Sequence, residues 1–225
     1  MGWLSNQWRN KARGEWAWYE DLSSAIPNGQ TLIQEAPFVV LDLETTGLNP
    51  AKDRILSLAA IQVVGSEIRI DRMMDVQIPQ AYFDARSIPI HEIMPGGGQI
   101  TSGLAEHEVL EAFLRMAAGS VWVGHFCEID RGFLEALSMR IGGFGLLNPF
   151  VDTAKLLPRA TDYYRDEVAM KPGAWKLEAV CRHFDLPLDD VHTAAGDTLA
   201  TALLFVKLSR LLEKRGVRKL KDIIG

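Results

Sequence analysis

Two carboxylates stand one residue apart in the run Phe38-Val39-Val40-Leu41-Asp42-Leu43-Glu44-Thr45-Thr46-Gly47. The four apolar residues before them, two of them β-branched, predict a strand buried on both faces. Residues i and i+2 of a strand share a face, so Asp42 and Glu44 project side by side. At the end of a buried strand such a pair repels and is costly to desolvate unless a cation lies between. A hard divalent ion with oxygen ligands, Mg²⁺ or Mn²⁺, is the natural occupant. Thr45-Thr46-Gly47 then reads as a turn whose backbone N–H groups can approach an anion. Alone the pair is a weak signal, because the acidic content of the chain supplies roughly one Asp-x-Glu by chance.

Two downstream repeats of one spacing change that. His125 is followed by Asp130, and His192 by Asp197, each with four residues between. Asp130 falls where a short strand, Val121 to Gly124, gives way to a helix, and that position can face the same cleft as Asp42. His192-Thr193-Ala194-Ala195-Gly196-Asp197 opens the last helix. Its small residues read as keeping bulk out of the space between a proton acceptor and a metal ligand. A histidine is suited to that acceptor role because its unperturbed pKa lies near neutrality. His125, beside an apolar strand, reads first as a hydrogen-bonded structural residue.

The surrounding elements must bring these segments together. After the Asp42 strand, Ile55 to Val64 is a second apolar run ending at Gly65-Ser66, and Glu67 to Ile78 alternates in part as a third strand. Short connections make these an antiparallel meander. Glu106 to Ala118 reads as a helix, Val121 to Gly124 as a fourth strand with a helix behind it, and Phe150 to Thr153 as a fifth strand. The polar stretch from Pro158 to Gly173 reads as a surface loop whose Tyr163, Tyr164 and Arg165 are placed to form a lid or to stack on bases. Helices from Trp175 to Phe184 and from Thr193 to about Lys214 close the chain, with Gly216 as a stop signal. Residues 1–36 carry four of the six tryptophans and predict an amphipathic helical extension before a main domain over 37–225. That extension is expected to pack on the main domain, with docking of a protein partner or a homodimer as the second use.

Composition sets limits. A net charge of −5 excludes binding nucleic acid by bulk electrostatics, though not by metal ions that grip a few phosphates. Cys127 and Cys181 make neither a disulfide framework nor a zinc spacing, and they read as reduced core residues of a cytoplasmic protein. No apolar run is long enough to span a membrane. Lys207, Arg210, Lys214, Arg215, Arg218, Lys219 and Lys221 form a basic cluster near the end, either a solvated face or a guide for a strand.

Taken together, Asp42-x-Glu44-Thr45-Thr46-Gly47, His125 with Asp130, and His192-x4-Asp197 resemble the DEDDh, or DnaQ-like, 3′–5′ exonuclease family. Ile90-His91-Glu92-Ile93, Val151-Asp152-Thr153 and Trp175-Lys176-Leu177 fit the same pattern, over residues 37 to 212. The resemblance implies an α/β ribonuclease-H-like fold with a mixed five-stranded sheet of order 3-2-1-4-5 flanked by helices. It implies hydrolysis by two metal ions at single-stranded DNA or RNA 3′ ends, with mononucleotides released. Asp42, Glu44 and Asp197 would hold one ion, Asp42 would bridge to a second that Asp130 steadies, and His192 would deprotonate the attacking water. Thr45, Thr46, Gly47, His91 and His125 would contact substrate. An RNA-trimming, oligoribonuclease-like enzyme is the alternative within the class, and a silent nucleic-acid-binding module the alternative outside it. Where the family usually has Asn after the histidine of its second motif, this chain has Phe126.

Overall fold

The computed structural model describes residues 14–79, 103–165 and 171–224. Six strands, β1 (Pro37–Thr45), β2 (Ile55–Val64), β3 (Glu67–Ile68), β4 (Met74–Gln77), β5 (Val121–Gly124) and β6 (Phe150–Asp152), form one mixed sheet of order β3-β2-β1-β5-β6, with β4 also pairing β2. β1 and β2 are antiparallel, whereas β5 and β6 run parallel to β1, which is the expected 3-2-1-4-5 order once β3 and β4 are taken as one interrupted strand.

The interruption has a count behind it. Ile68 pairs with Val63 and Met74 with Ala60, so the outer strand advances six residues while β2 advances three. The surplus leaves the ladder as a 3-10 turn at Ile70–Arg72. In the sequence this stretch reads as one strand, because its partial alternation carries no information about register.

Two apolar layers cover the sheet. On one face, Phe38, Val40, Ile61, Val63, Val121, Val123 and Val151 pack against α4 (Thr153–Ala160), α5 (Leu177–His183) and α6 (Ala194–Lys214). On the other, Val39, Leu41, Leu43, Leu58, Ala60 and Trp122 pack against α1 (Ala17–Ser23), α2 (Glu106–Ala117) and α3 (Glu128–Ile141). Helix α6 begins with the Thr193 hydroxyl accepting the Gly196 N–H at 3.0 Å. It stops at Gly216 as expected, with the Val217 N–H closing back on the Leu212 carbonyl at 3.0 Å.

Two expectations are revised. The loop predicted from Pro158 begins only after Ala160, because α4 carries Pro158 in its last turns while Leu156, Leu157 and Ala160 bury one face. Within that stretch Tyr164 is buried among Trp175, His183 and Phe184 and is not available to bases. Tyr163 stacks on His183 with centroids 4.0 Å apart. Three of the seven cations of the C-terminal cluster are engaged locally: Arg210 with Ser66, Arg215 with Asp162, and Lys219 with Gln30.

Trp3 and Trp8 lie outside the described residues. Trp16 and Tyr19 pack on Phe144, and Trp18 lies under the Arg115 guanidinium, so these aromatics are used within the chain. Nothing about them supports a homodimer. The Tyr19 hydroxyl donates to Asn148 Oδ1 at 2.8 Å and accepts the Leu147 N–H at 2.8 Å. The Asn148 amide in turn donates to the carbonyls of Ala117, Ala118 and Ser120. Removing the hydroxyl leaves a buried acceptor and a backbone donor without partners. Tyr19→Phe is therefore expected to lower stability by about 1–3 kcal/mol in urea unfolding, and an unchanged midpoint would show the network to be neutral.

Candidate active site

Alternation along β1 decides where the carboxylates go. Phe38 and Val40 enter the α6 layer, so Asp42 and Glu44 lie on that side too, at the end of the strand where apolar cover thins. Asp197, in the first turn of α6, meets them there. One oxygen from each of Asp42, Glu44 and Asp197 lies within 4.8 Å of the others. Next to Asp197, the buried Thr198 hydroxyl donates to the Ala59 carbonyl at 3.3 Å, and Ala59 is the partner of Asp42 across the ladder. One hydrogen bond thus registers the helix start against β2, the strand that pairs with the one carrying Asp42. Sequence reasoning missed Thr198, although a β-branched hydroxyl at a buried helix position was a signal that it needed a partner.

Asp130 arrives from the opposite layer. β5 pairs with β1 only from Phe38 to Val40, so the ladder ends before the carboxylates begin. Beyond it, the buried Asp130 of α3 accepts the Leu43 backbone N–H, between Asp42 and Glu44.

Four carboxyls in one place resist ionisation. Burial first, then the charges of Asp130, Asp197 and Glu44, raises Asp42 well above its ordinary value. Glu44 is pushed up to about 8, by burial and then by Asp197 and Asp130. Burial pushes Asp130 up to about 7 against the opposing backbone N–H groups, and it raises Asp197 as well. A divalent cation reverses this, since every neighbouring charge that disfavours ionisation then faces a positive ion. The all-oxygen donor set fits Mg²⁺ or Mn²⁺ rather than metals that favour thiolate or imidazole.

The turn after β1 is braced internally. The Thr45 hydroxyl donates to the Gly47 carbonyl at 2.6 Å, and the Thr46 hydroxyl accepts the Arg54 N–H at 3.0 Å. A side chain at Gly47 would put its Cβ 2.6 Å from the Asp53 carboxylate, which accepts the Asn49 N–H. The hydroxyls shape the turn, and what it presents to a ligand is backbone. His91 lies outside the described residues.

His125 is tied at both ring nitrogens, Nδ1 to the Thr153 hydroxyl at 2.8 Å and Nε2 to the Trp175 carbonyl at 2.7 Å. A carbonyl only accepts, so Nε2 carries the proton. Burial lowers the pKa of the ring, and the Thr153 hydroxyl beside Nδ1 also lies 3.1 Å from the Gly124 carbonyl. His125 thereby joins the β5–α3 turn to the start of α4 and to the segment before α5.

His192 stands at φ +64° with an exposed ring, and its Nε2 is 3.5 Å from Glu178 Oε1 on α5. Its backbone N–H serves the Asp197 carboxylate. The small residues between them have a different purpose from the one expected. A Cβ on Gly196 would lie 2.2 Å from the Asp190 carbonyl oxygen and 2.6 Å from that of Asp189. The glycine makes room for the backbone leading into His192, not for the space between His192 and Asp197. Glu178, which nothing in the sequence singled out, faces His192. Asp152 accepts the N–H groups of both Ala154 and Phe126.

Comparison with known proteins agrees with this arrangement. An exonuclease family model (RNase_T) matches residues 39–205. PolC-type DNA polymerase III of Thermotoga maritima is 30% identical over 192 residues, and that of Oceanobacillus iheyensis 32% over 183. These alignments take in 84% and 81% of the chain but only 13% and 12% of the relatives, so the chain spans about an eighth of their length. Among solved structures, E. coli exonuclease I bound to a dT13 oligonucleotide superposes with a TM-score of 0.65 at 20% identity, covering 80% of this chain and 42% of that one. By the family model and the motif order together, the chain belongs to the exonuclease family, in its DnaQ-like branch of the ribonuclease-H-like superfamily.

Proposed function

We propose that the chain is a metal-dependent 3′–5′ exonuclease that releases mononucleotides from single-stranded nucleic acid. The observation that carries this is the convergence of the Asp42, Glu44 and Asp197 oxygens within 4.8 Å, with Asp130 anchored to the Leu43 N–H beside them. Single-stranded DNA is the leading substrate and RNA the alternative. The relatives are named as DNA polymerases, and the exonuclease I neighbour holds an oligo-dT strand.

Asp42, Glu44 and Asp197 would hold one divalent ion, and Asp42 with Asp130 a second. When bound, the ions supply positive charge against the scissile phosphate and its leaving oxygen. The chain's own part is positional and protolytic. The β1 ladder and the Thr198 bond fix the carboxylates, and the backbone of the Thr45–Gly47 turn lines the side where a terminal nucleotide would sit. His192 is the proton acceptor for the attacking water. Its exposed ring can be reached by solvent, and Glu178 stabilises the imidazolium that forms when the ring takes the proton.

Labelled DNA and RNA oligomers with Mg²⁺, with Mn²⁺ and with neither test the reading. Linear strands should shorten from the 3′ end only with metal, and a circular single strand should survive. Internal cuts, or binding without turnover, would reject it. Asp42→Ala should leave less than a few per cent of activity while the chain stays folded. His192→Ala should cost about 10²–10⁴ in kcat, with metal affinity little changed.

The carboxyl pKa values give a test that needs no substrate. In the unfolded chain Glu44 and Asp130 ionise near 4.5 and 3.8, but in the fold near 8 and 7. The fold therefore holds protons that the unfolded chain has released, and stability falls as pH rises through that window. In EDTA the melting temperature should drop between pH 5 and pH 8.5, and Mg²⁺ or Mn²⁺ should restore it most at the alkaline end. A melting temperature that is flat with pH and indifferent to metal would refute the buried cluster.

A further inference from the structure

We propose that Phe126 is a nucleobase-stacking residue at the rim of the carboxylate centre, an inference that rests on the exonuclease reading above. The backbone at Phe126 is left-handed, with φ +56°. The other described non-glycine residues in that region are Asp185, Asp190 and His192, types that adopt it readily, whereas a bulky aromatic is a true outlier there. Strain of this kind persists where neighbours over-determine it, and it clusters at functional sites.

The neighbours here are explicit. The Phe126 N–H is held by Asp152 Oδ1 at 3.0 Å, His125 before it is tied at both nitrogens, and Cys127 after it is buried at the start of α3. They fix the turn whatever side chain position 126 carries. Burial does not account for the ring either: Phe126 is 49% exposed, lying against the His125 ring with centroids 4.7 Å apart. An Asn would suit this backbone, because a short polar side chain tolerates the left-handed region. This chain keeps an exposed aromatic in its place.

Its position is beside the chemistry. The Asp152 carboxylate that holds its N–H also acts on Asp130, and the His125 ring beneath it feels Glu178, which reaches His192. Pro50 of the β1–β2 turn adjoins Gly132 of α3, the helix that begins just after Phe126. Stacking on an aromatic face is independent of charge and of base identity, which suits an enzyme that must accept whichever nucleotide comes next.

The experiment measures binding of single-stranded oligomers with phosphorothioate linkages, in Mg²⁺, by fluorescence anisotropy, for wild type, Phe126→Asn and Phe126→Trp. The Asn variant relieves the backbone, so its melting temperature should equal or exceed that of wild type. Its Kd should rise about five- to a hundred-fold, the range for one lost base–aromatic stack, while Trp retains wild-type affinity. A single abasic residue is then moved through the three 3′-terminal positions, and at one of them wild type and Phe126→Asn should bind alike. Equal affinity of the two on intact oligomers, a difference that survives at every abasic position, or a melting temperature several degrees lower for the Asn variant would each overturn the proposal. Wild type that binds no oligomer at all would remove the exonuclease reading and this inference together. Wild type that binds and cuts, with Phe126→Asn unchanged, would remove this inference alone.

Discussion

Mutual repulsion among three half-buried carboxylates and one buried one is the constraint that the rest of the molecule answers to. Glu44 and Asp130 sit with pKa values near 8 and 7, and burial together with its acidic neighbours raises Asp42 well above its ordinary value. A fold that holds such a cluster must be stiff enough that the side chains cannot turn out to solvent and relax. The stiffness comes from three elements with no sequence proximity. β1 lies in the middle of the sheet, α3 reaches it through the Leu43 N–H, and α6 reaches its neighbour β2 through Thr198 and the Ala59 carbonyl, opposite Asp42. Because the three come from both layers of the molecule, the cluster cannot loosen on one side without disturbing packing on the other.

Much of this is legible in the sequence, for specific reasons. The period of two along a strand is enough to place Asp42 and Glu44 on one face, and the same rule puts them on the side of Phe38 and Val40. Asp130 and Asp197 follow from their positions at helix starts, where a strand end and a helix N-terminus open onto a common edge. The sheet order comes from the resemblance, and the apolar runs supply the strands. What fails to show are features set by register and by backbone dihedrals. The break between Ile68 and Met74 depends on which β2 residues those strands meet. Pro158 resembles a helix terminator, yet it sits in the last turns of α4, where one lost backbone bond weighs less than the burial of Leu157 and Ala160.

Gly196 is the more instructive case. A small residue between a proton acceptor and a metal ligand invites a functional account, and the chemistry of the site offers one. The close approach to the Asp189 and Asp190 carbonyls shows a packing requirement instead. That requirement still serves the site indirectly, because the same loop delivers His192 in its left-handed conformation immediately before the helix. Glu178 escapes notice for the opposite reason. It is an ordinary acidic residue in a first helical turn, and its meaning emerges only when α5 is placed so that its carboxylate faces the His192 ring.

His125 and His192 share a spacing to an aspartate, yet the fold treats them oppositely, and the difference follows from their hydrogen-bond partners. His125 has a carbonyl on one nitrogen and a hydroxyl on the other, both within 2.8 Å, in a buried setting that lowers the pKa of the ring. Both nitrogens of such a ring are spent on scaffold partners, and removing it would detach the β5–α3 turn from Thr153 and Trp175. His192 is exposed, with the Glu178 carboxylate 3.5 Å from Nε2, the setting that supports the proton-acceptor role proposed for it. Sequence spacing makes the two equivalent, whereas their partners divide scaffold from chemistry. The turn that His125 ties is also the one that carries Phe126 with its ring half exposed, so the scaffold histidine fixes the backbone from which that aromatic projects.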